Sequence, residues 1–174
     1  MVNNDTHEWQ YYKGLPPDLA PLPYYVGNIY TWVAFWNLKV IRDETVPGLS
    51  NLSGNSPAAP GGYYNQTIMW SSSWNNWDIA PVDQKNSWQM SFCPVAEWSL
   101  VCGSGPAQTV DITPRRLQNF VVKPGAYYNW ENVRISDSYP LASGYVQANS
   151  SGLITVPSFL VSGSGNRLII WPRG

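Results

Sequence analysis

The sequence is poor in the side chains that most often carry out catalysis. Among its 174 residues, one is His, two are Cys, 10 are Lys or Arg and 11 are Asp or Glu. His is the usual general base and metal ligand, and the single His7 lies near the N-terminus of a chain that has no Gly-x-Ser-x-Gly motif. We therefore expect no catalytic residue and no metal site, with a structural Ca²⁺ held by loop oxygens as the alternative cofactor.

Charge and hydropathy disfavour two kinds of partner. The formal net charge is −1, so a nucleic acid finds no electrostatic attraction. No run approaches the roughly 18 apolar residues that a membrane-spanning helix needs. The N-terminus lacks the layout of a signal peptide, yet the low charge and the many Asn, Ser and Thr residues favour an exported protein. We expect an extracellular protein, and the sequence leaves open whether an export signal or a neighbouring domain has been removed.

Aromatic and turn-forming residues are abundant instead. The chain has 10 Trp, 11 Tyr, 14 Gly and 15 Pro residues. Trp and Tyr offer large apolar faces with one polar end, which suits stacking and contact surfaces. Gly and Pro at this frequency predict many turns and few long helices. The composition therefore favours a binding or packing role over a catalytic one.

Short runs of β-branched and aromatic residues, separated by turns that contain Gly and Pro, predict antiparallel strands. They fall at 29–41, 63–71, 87–93, 97–102, 108–112, 116–122, 128–135, 143–148, 153–156, 159–162 and 167–171. The residues at 46–62 are rich in Gly, Pro and Ser and predict a long loop. We expect an all-β fold: an antiparallel β-sandwich or jelly-roll-like domain over residues 29–174, preceded by an extended, Pro-rich aromatic arm over residues 1–28.

The two cysteines are close enough in sequence to pair. Cys93 and Cys102 lie at the ends of two predicted strands joined by a short loop. Such an arrangement brings two Cα atoms within disulfide range. We expect a disulfide between neighbouring strands, with two reduced buried thiols as the alternative.

One segment combines indoles, amides and a carboxylate in a predicted loop. It consists of Trp74, Asn75, Asn76, Trp77 and Asp78. A sugar ring places its C–H faces on aromatic planes and bonds through its hydroxyls to amides and carboxylates. The segment therefore holds the parts of a sugar-binding site. The alternative is that the indoles fill the end of the sandwich as part of the core.

Other aromatic residues are candidates for the same role. Tyr63 and Tyr64 follow two glycines and either border a groove or anchor the long loop. Strand alternation places Tyr127 on the face opposite Tyr128 and Trp130. We expect Trp130 to belong to the core and Tyr127 to be a surface ring that contacts ligand.

The stretch 110–170 carries a set of short landmarks. They are Val110-Asp111-Ile112-Thr113-Pro114-Arg115-Arg116, Lys123-Pro124-Gly125, Tyr128-Asn129-Trp130-Glu131-Asn132, Gly152-Leu153-Ile154-Thr155-Val156 and Gly165-Asn166-Arg167-Leu168. This stretch, about a third of the chain, resembles the C-terminal β-sandwich modules attached to secreted bacterial hydrolases and polysaccharide-degrading enzymes. The resemblance implies an accessory, non-catalytic role beside an enzyme and carries over no catalytic residue.

We therefore expect a non-catalytic binding or accessory module of an exported protein, which contacts polysaccharide through exposed aromatics. One alternative is a structural or assembly subunit that packs on a neighbouring protein domain or subunit. The other is a carboxylate-based glycosidase or lyase, which needs two carboxyl groups facing each other. An exposed aromatic row favours sugar binding, whereas an apolar patch of a few hundred Å² favours assembly.

Overall fold

The computed structural model describes residues 44–53, 68–71, 78–96 and 101–174. Within these ranges the chain forms nine strands and no helix, and therefore no apolar helix long enough to cross a membrane. The strands are β1 (Val46–Ser50), β2 (Ile68–Trp70), β3 (Val82–Gln84), β4 (Ser87–Pro94), β5 (Gln108–Arg115), β6 (Tyr127–Arg134), β7 (Tyr139–Gln147), β8 (Val156–Val161) and β9 (Asn166–Pro172). The predicted arm at 1–28 and the predicted strand at 29–41 lie outside the described residues.

Two antiparallel sheets pack as a sandwich, which confirms the predicted all-β fold. The larger sheet has the order β2-β4-β9-β6-β7, and the smaller sheet has the order β1-β5-β8. β3 pairs with the first half of β4, and β2 pairs with its second half. The order brings β9, the last strand of the chain, between β4 and β6. Side chains from distant parts of the sequence therefore share one face of the larger sheet.

Alternation along the strands sends one set of side chains between the two sheets. Trp88 and Phe92 on β4 and Leu168 and Ile170 on β9 are fully buried. The ring of Phe92 contacts the ring of Phe159 on β8, with centroids 5.9 Å apart, and this contact joins the sheets. Burying each such side chain stabilises the fold by about 1.5–3 kcal/mol. The core thereby fixes which side chains the larger sheet presents on its opposite, outer face.

β1 forms where the sequence predicts a loop. Pro47 has no N–H to donate and Gly48 weakens strand preference, so the local pattern indicates a loop. In the structure β1 pairs with β5 and is the outermost described strand of the smaller sheet, where Pro47 faces Pro114. Pairing with a strand that is distant in sequence thus overrides the local loop pattern.

Residues 116–122 form a loop where the sequence predicts a strand. The carboxylate of Asp83, on β3, accepts hydrogen bonds from three successive backbone amides of this loop. They belong to Gln118, Asn119 and Phe120, at 2.6, 3.1 and 2.7 Å. The Phe120 ring is buried in the core. A contact with a residue distant in sequence thus overrides the local strand pattern.

A single strand, β8, replaces the two short strands predicted at 153–156 and 159–162. The side-chain oxygen of Asn149 accepts hydrogen bonds from the backbone N–H groups of Ser151 and Leu153, each at 2.9 Å. These bonds hold the chain in a turn up to residue 153. The strands predicted at 87–93, 108–112, 128–135, 143–148 and 167–171 are confirmed as β4, β5, β6, β7 and β9 with shifted ends.

The two cysteines lie at disulfide distance, with their Cα atoms 5.5 Å apart. Cys93 is fully buried in β4. Cys102 lies in a turn and not in the strand predicted at 97–102, of which residues 97–100 lie outside the described ranges. The Gly103 N–H donates to the Pro94 carbonyl at 2.9 Å and holds this turn against the end of β4. The predicted proximity is confirmed, and the prediction that Cys102 lies in a strand is wrong.

Candidate functional site

Two of the residues predicted to bind ligand lie in the part of the chain that the structure describes. They are Asp78 and Tyr127. The other six lie outside the described ranges, and their roles stay predictions: Trp74, Asn75, Asn76, Trp77, Tyr63 and Tyr64.

Asp78 lies against the outer face of the larger sheet. The Arg167 Nη2 on β9 donates to both carboxylate oxygens, at 3.1 and 2.9 Å, and Ser91 on β4 donates a further hydrogen bond. Burial pushes the pKa of Asp78 upward, but the hydrogen bonds from Ser91 and Arg167 outweigh burial and hold this pKa below its ordinary value. Asp78 therefore joins β4 to β9, and its contact with a ligand stays a prediction.

Other carboxylates in the described part of the chain also bind protein groups. Asp111 accepts hydrogen bonds from the Asn51 side chain at 2.7 Å and from the Ser158 backbone at 2.8 Å. Asp137 binds Arg134 through two hydrogen bonds of 2.9 and 2.7 Å, and Arg134 lowers the pKa of Asp137. Among the described residues, no three His, Cys, Asp or Glu side chains cluster as metal ligands do. These carboxylates fix turns and strand ends.

The outer face of the larger sheet carries aromatic side chains near its β7 edge. On β6, Tyr128 is buried, whereas Tyr127 is exposed. Because side chains alternate along a strand, Asn129 and Glu131 share the outer face with Tyr127. Trp130 lies on the inner face and packs against the core. The predicted orientations of Tyr127 and Trp130 are confirmed.

Strand register adds neighbours to these residues. Asn129 lies between Tyr145 on β7 and Trp171 on β9, and Glu131 lies beside Ser143 on β7. Directly opposed residues point to the same face, with Cβ atoms about 4.5–5.5 Å apart. Asn129 therefore lies between two aromatic residues, and Glu131 lies between Ser143 and Ile169. We call this part of the outer face the aromatic face; it consists of Tyr127, Asn129, Glu131, Ser143, Tyr145 and Trp171.

The two tyrosines of the aromatic face are held in place and remain accessible. Tyr127 and Tyr145 meet edge to face, with centroids 5.9 Å apart. The Arg173 guanidinium lies over the Tyr145 ring, 4.4 Å from its centroid, and the Arg173 N–H donates to the Tyr127 carbonyl at 3.0 Å. Tyr127 and Tyr145 are still 47% and 60% exposed. A ligand that stacks here meets rings whose orientation is already fixed, which lowers the entropic cost of binding.

The polar members of the aromatic face have spare hydrogen-bonding capacity. Asn129 and Glu131 are half-buried, and neither side chain has a hydrogen-bond or ion-pair partner among the described residues. An amide offers two donors and an acceptor, and a carboxylate offers several acceptor positions. Aromatic stacking surface, an amide and a carboxylate together provide what a polyhydroxylated ligand needs.

Sequence reasoning missed Tyr145, Trp171 and Arg173. The available signal was the alternation of polar and aromatic residues at 127–131, which already indicates a polar outer face on β6. The register that places Tyr145 and Trp171 beside Asn129 depends on pairing among three strands, and the local pattern does not show it.

Comparison with protein-family models, curated proteins and solved structures found no match.

Proposed function

We propose that this protein is a polysaccharide-binding accessory module of an exported protein, and that the aromatic face is its ligand surface. The observation that supports this most is the row of Tyr145, Asn129 and Trp171, in which an amide without a partner in the described ranges lies between two aromatic residues. Sugar rings carry C–H groups on their faces and hydroxyls on their rims. Such a row supplies a partner for both.

Each kind of side chain has a distinct role in this proposal. Tyr127 and Tyr145, the more exposed rings, stack on sugar units, while Asn129 and Glu131 bond to hydroxyls. A sheet face lets a bound chain extend past either end, so it suits an internal segment of a polymer. Burial of the ring faces supplies affinity, and the polar groups supply orientation.

The test is a glycan array with the purified chain, followed by calorimetry of Tyr127→Ala and Tyr145→Ala on each polysaccharide that binds. Loss of one stacking ring is expected to cost about 1–3 kcal/mol of binding free energy, the range for truncating an interface hot spot. Thermal melting should change little, because both rings are about half exposed and lie on the outer face of the sheet.

Tyr139 offers a matched control on the same strand. It is exposed and is stacked by Arg134, whose guanidinium lies 5.4 Å from the ring centroid. It pairs with Arg134 at the other end of β7, and strand alternation on β6 places this pair on the face opposite Glu131. Tyr139→Ala is expected to leave affinity unchanged. Equal losses in all three variants, or lower melting temperatures with intact affinity, would contradict the proposal.

The edge of β7 supports assembly as a second candidate function. Among the described strands, β7 ends the larger sheet and pairs only with β6, and residues 142–147 carry no charge. Uncharged edge strands pair readily with other chains. Sedimentation velocity should then show an oligomer that Ala142→Lys dissociates. A monomer at every concentration would rule this candidate out.

A further inference from the structure

Two arginine–tyrosine pairs lie at opposite ends of β7. They differ in whether the arginine also binds a carboxylate among the described residues. Arg134 stacks over Tyr139 at 5.4 Å, and Arg173 stacks over Tyr145 at 4.4 Å. The Arg134 guanidinium also binds the Asp137 carboxylate through two hydrogen bonds. Arg173 has no carboxylate partner among the described residues. Within the described ranges, the pair on the aromatic face thus lacks the carboxylate that the other pair has.

We propose that the aromatic face selects acidic polysaccharides, and that Arg173 binds the carboxylate of a uronic acid whose ring stacks on the neighbouring tyrosines. This inference rests on the function proposed above. The planar guanidinium fork matches a carboxylate through two parallel hydrogen bonds. A uronic acid carries its carboxylate directly on the sugar ring. One ligand unit therefore reaches both the tyrosine pair and the guanidinium that lies over the Tyr145 ring.

Arg173 is preorganised for this role. Its guanidinium rests on the Tyr145 ring, and its backbone N–H is bonded to the Tyr127 carbonyl at 3.0 Å. Less side-chain entropy is lost when a held arginine binds than when a mobile one does. Arg173 is exposed to solvent, so its attraction for a carboxylate is screened by salt.

Glu131 places a negative charge on the aromatic face, opposite in sign to the charge of Arg173. Its carboxylate has no partner among the described residues and lies on the same face as Tyr127. A second carboxylate placed beside it would be repelled, whereas sugar hydroxyls would donate to it. The acidic group of the ligand is therefore directed to the Arg173 end. Substitutions that remove charge at Arg173 and at Glu131 should change affinity for an acidic polymer in opposite directions.

The experiment compares polygalacturonate and alginate with methyl-esterified polygalacturonate, which has the same backbone without the charge. The natural chain should bind the acidic polymers about tenfold more tightly than the ester, and added NaCl should reduce that preference. Arg173→Gln should weaken binding to the acidic polymers about tenfold more than it weakens binding to the ester. Arg173→Lys should give an intermediate loss, and Glu131→Gln should tighten binding to the acidic polymers.

Arg134→Gln is the matched control, because Asp137 already neutralises that arginine; it should leave every affinity unchanged. Equal binding of acid and ester forms, or an equal loss on both in Arg173→Gln, would overturn the proposed selectivity and leave polysaccharide binding intact. Failure to bind any charged or neutral glycan would overturn both proposals. Melting temperatures of all variants separate lost binding from lost folding.

Discussion

Replacement of Asp78 by Asn tests whether the Asp78–Arg167 pair anchors the outer face of the larger sheet. The two side chains are 12% and 22% exposed. Breaking a fully buried pair costs about 3–5 kcal/mol, and exposed pairs contribute about 0–1 kcal/mol. Because this pair is largely buried and Ser91 also donates to it, Asp78→Asn should lower the free energy of unfolding by about 2–3 kcal/mol at pH 7.

The pH dependence of this effect has a definite sign. Hydrogen bonds from Ser91 and Arg167 hold the pKa of Asp78 in the folded protein below its ordinary value, which is about 3.9 in an unfolded chain. The folded state therefore binds fewer protons near this pH than the unfolded state does. The contribution of Asp78 is fully present above its unfolded pKa and is lost as pH falls through the lowered pKa. The difference between natural chain and variant should shrink in acid.

Urea unfolding, followed by tryptophan fluorescence at pH 7 and at acidic pH, measures both effects. Asp137→Asn is the control, because its pair with Arg134 is exposed on both sides and should contribute little. If Asp78→Asn lies within about 0.5 kcal/mol of the natural chain at pH 7, or if its deficit stays constant in acid, the anchoring role is refuted.

Three further changes test the fold that supports the aromatic face. Mass spectrometry without reductant should show Cys93 bonded to Cys102, and reduction should cost about 2–3 kcal/mol; two free thiols would contradict this. Asp83→Ala removes the acceptor of three backbone amides and should cost about 2–3 kcal/mol, with faster hydrogen exchange at those amides; unchanged exchange would argue against it. A Cβ at Gly144 would lie 3.1 Å from the Trp130 indole, so Gly144→Ala should destabilise by about 1 kcal/mol; a more stable variant would disprove that close packing.

Much of the fold is predictable from the sequence, because alternation along a strand determines which side chains face the core and which face outward. On β6, the aromatic residues Tyr128 and Trp130 alternate with Asn129 and Glu131, and strand alternation separates Tyr127 from Tyr128 and Trp130. The exceptions depend on contacts between distant residues. Pro47 lies in a strand because β1 pairs with β5, which is distant in sequence. The loop at 116–122 depends on the Asp83 carboxylate from β3.

The candidate site is predictable in its chemistry more than in its location. The sequence indicates aromatic rings beside amides and carboxylates, and Tyr127 is confirmed as a surface ring. The partners of Tyr127 come from β7 and β9, and only the register of these strands brings Tyr145, Trp171 and Arg173 to the same face. Register is a property of the whole sheet, so short sequence windows do not contain it.

Chemical-shift mapping of the ¹⁵N-labelled chain tests the location of the ligand most directly. Oligosaccharides from a polymer that binds on the array would be titrated into the protein. We expect shifts at the Trp171 indole N–H and at the amides of Asn129 and Tyr145, with the amide of Tyr139 unchanged. Shifts confined to the region around Asp78, with the aromatic face unchanged, would contradict the proposed binding surface and favour the loop that the sequence first indicated.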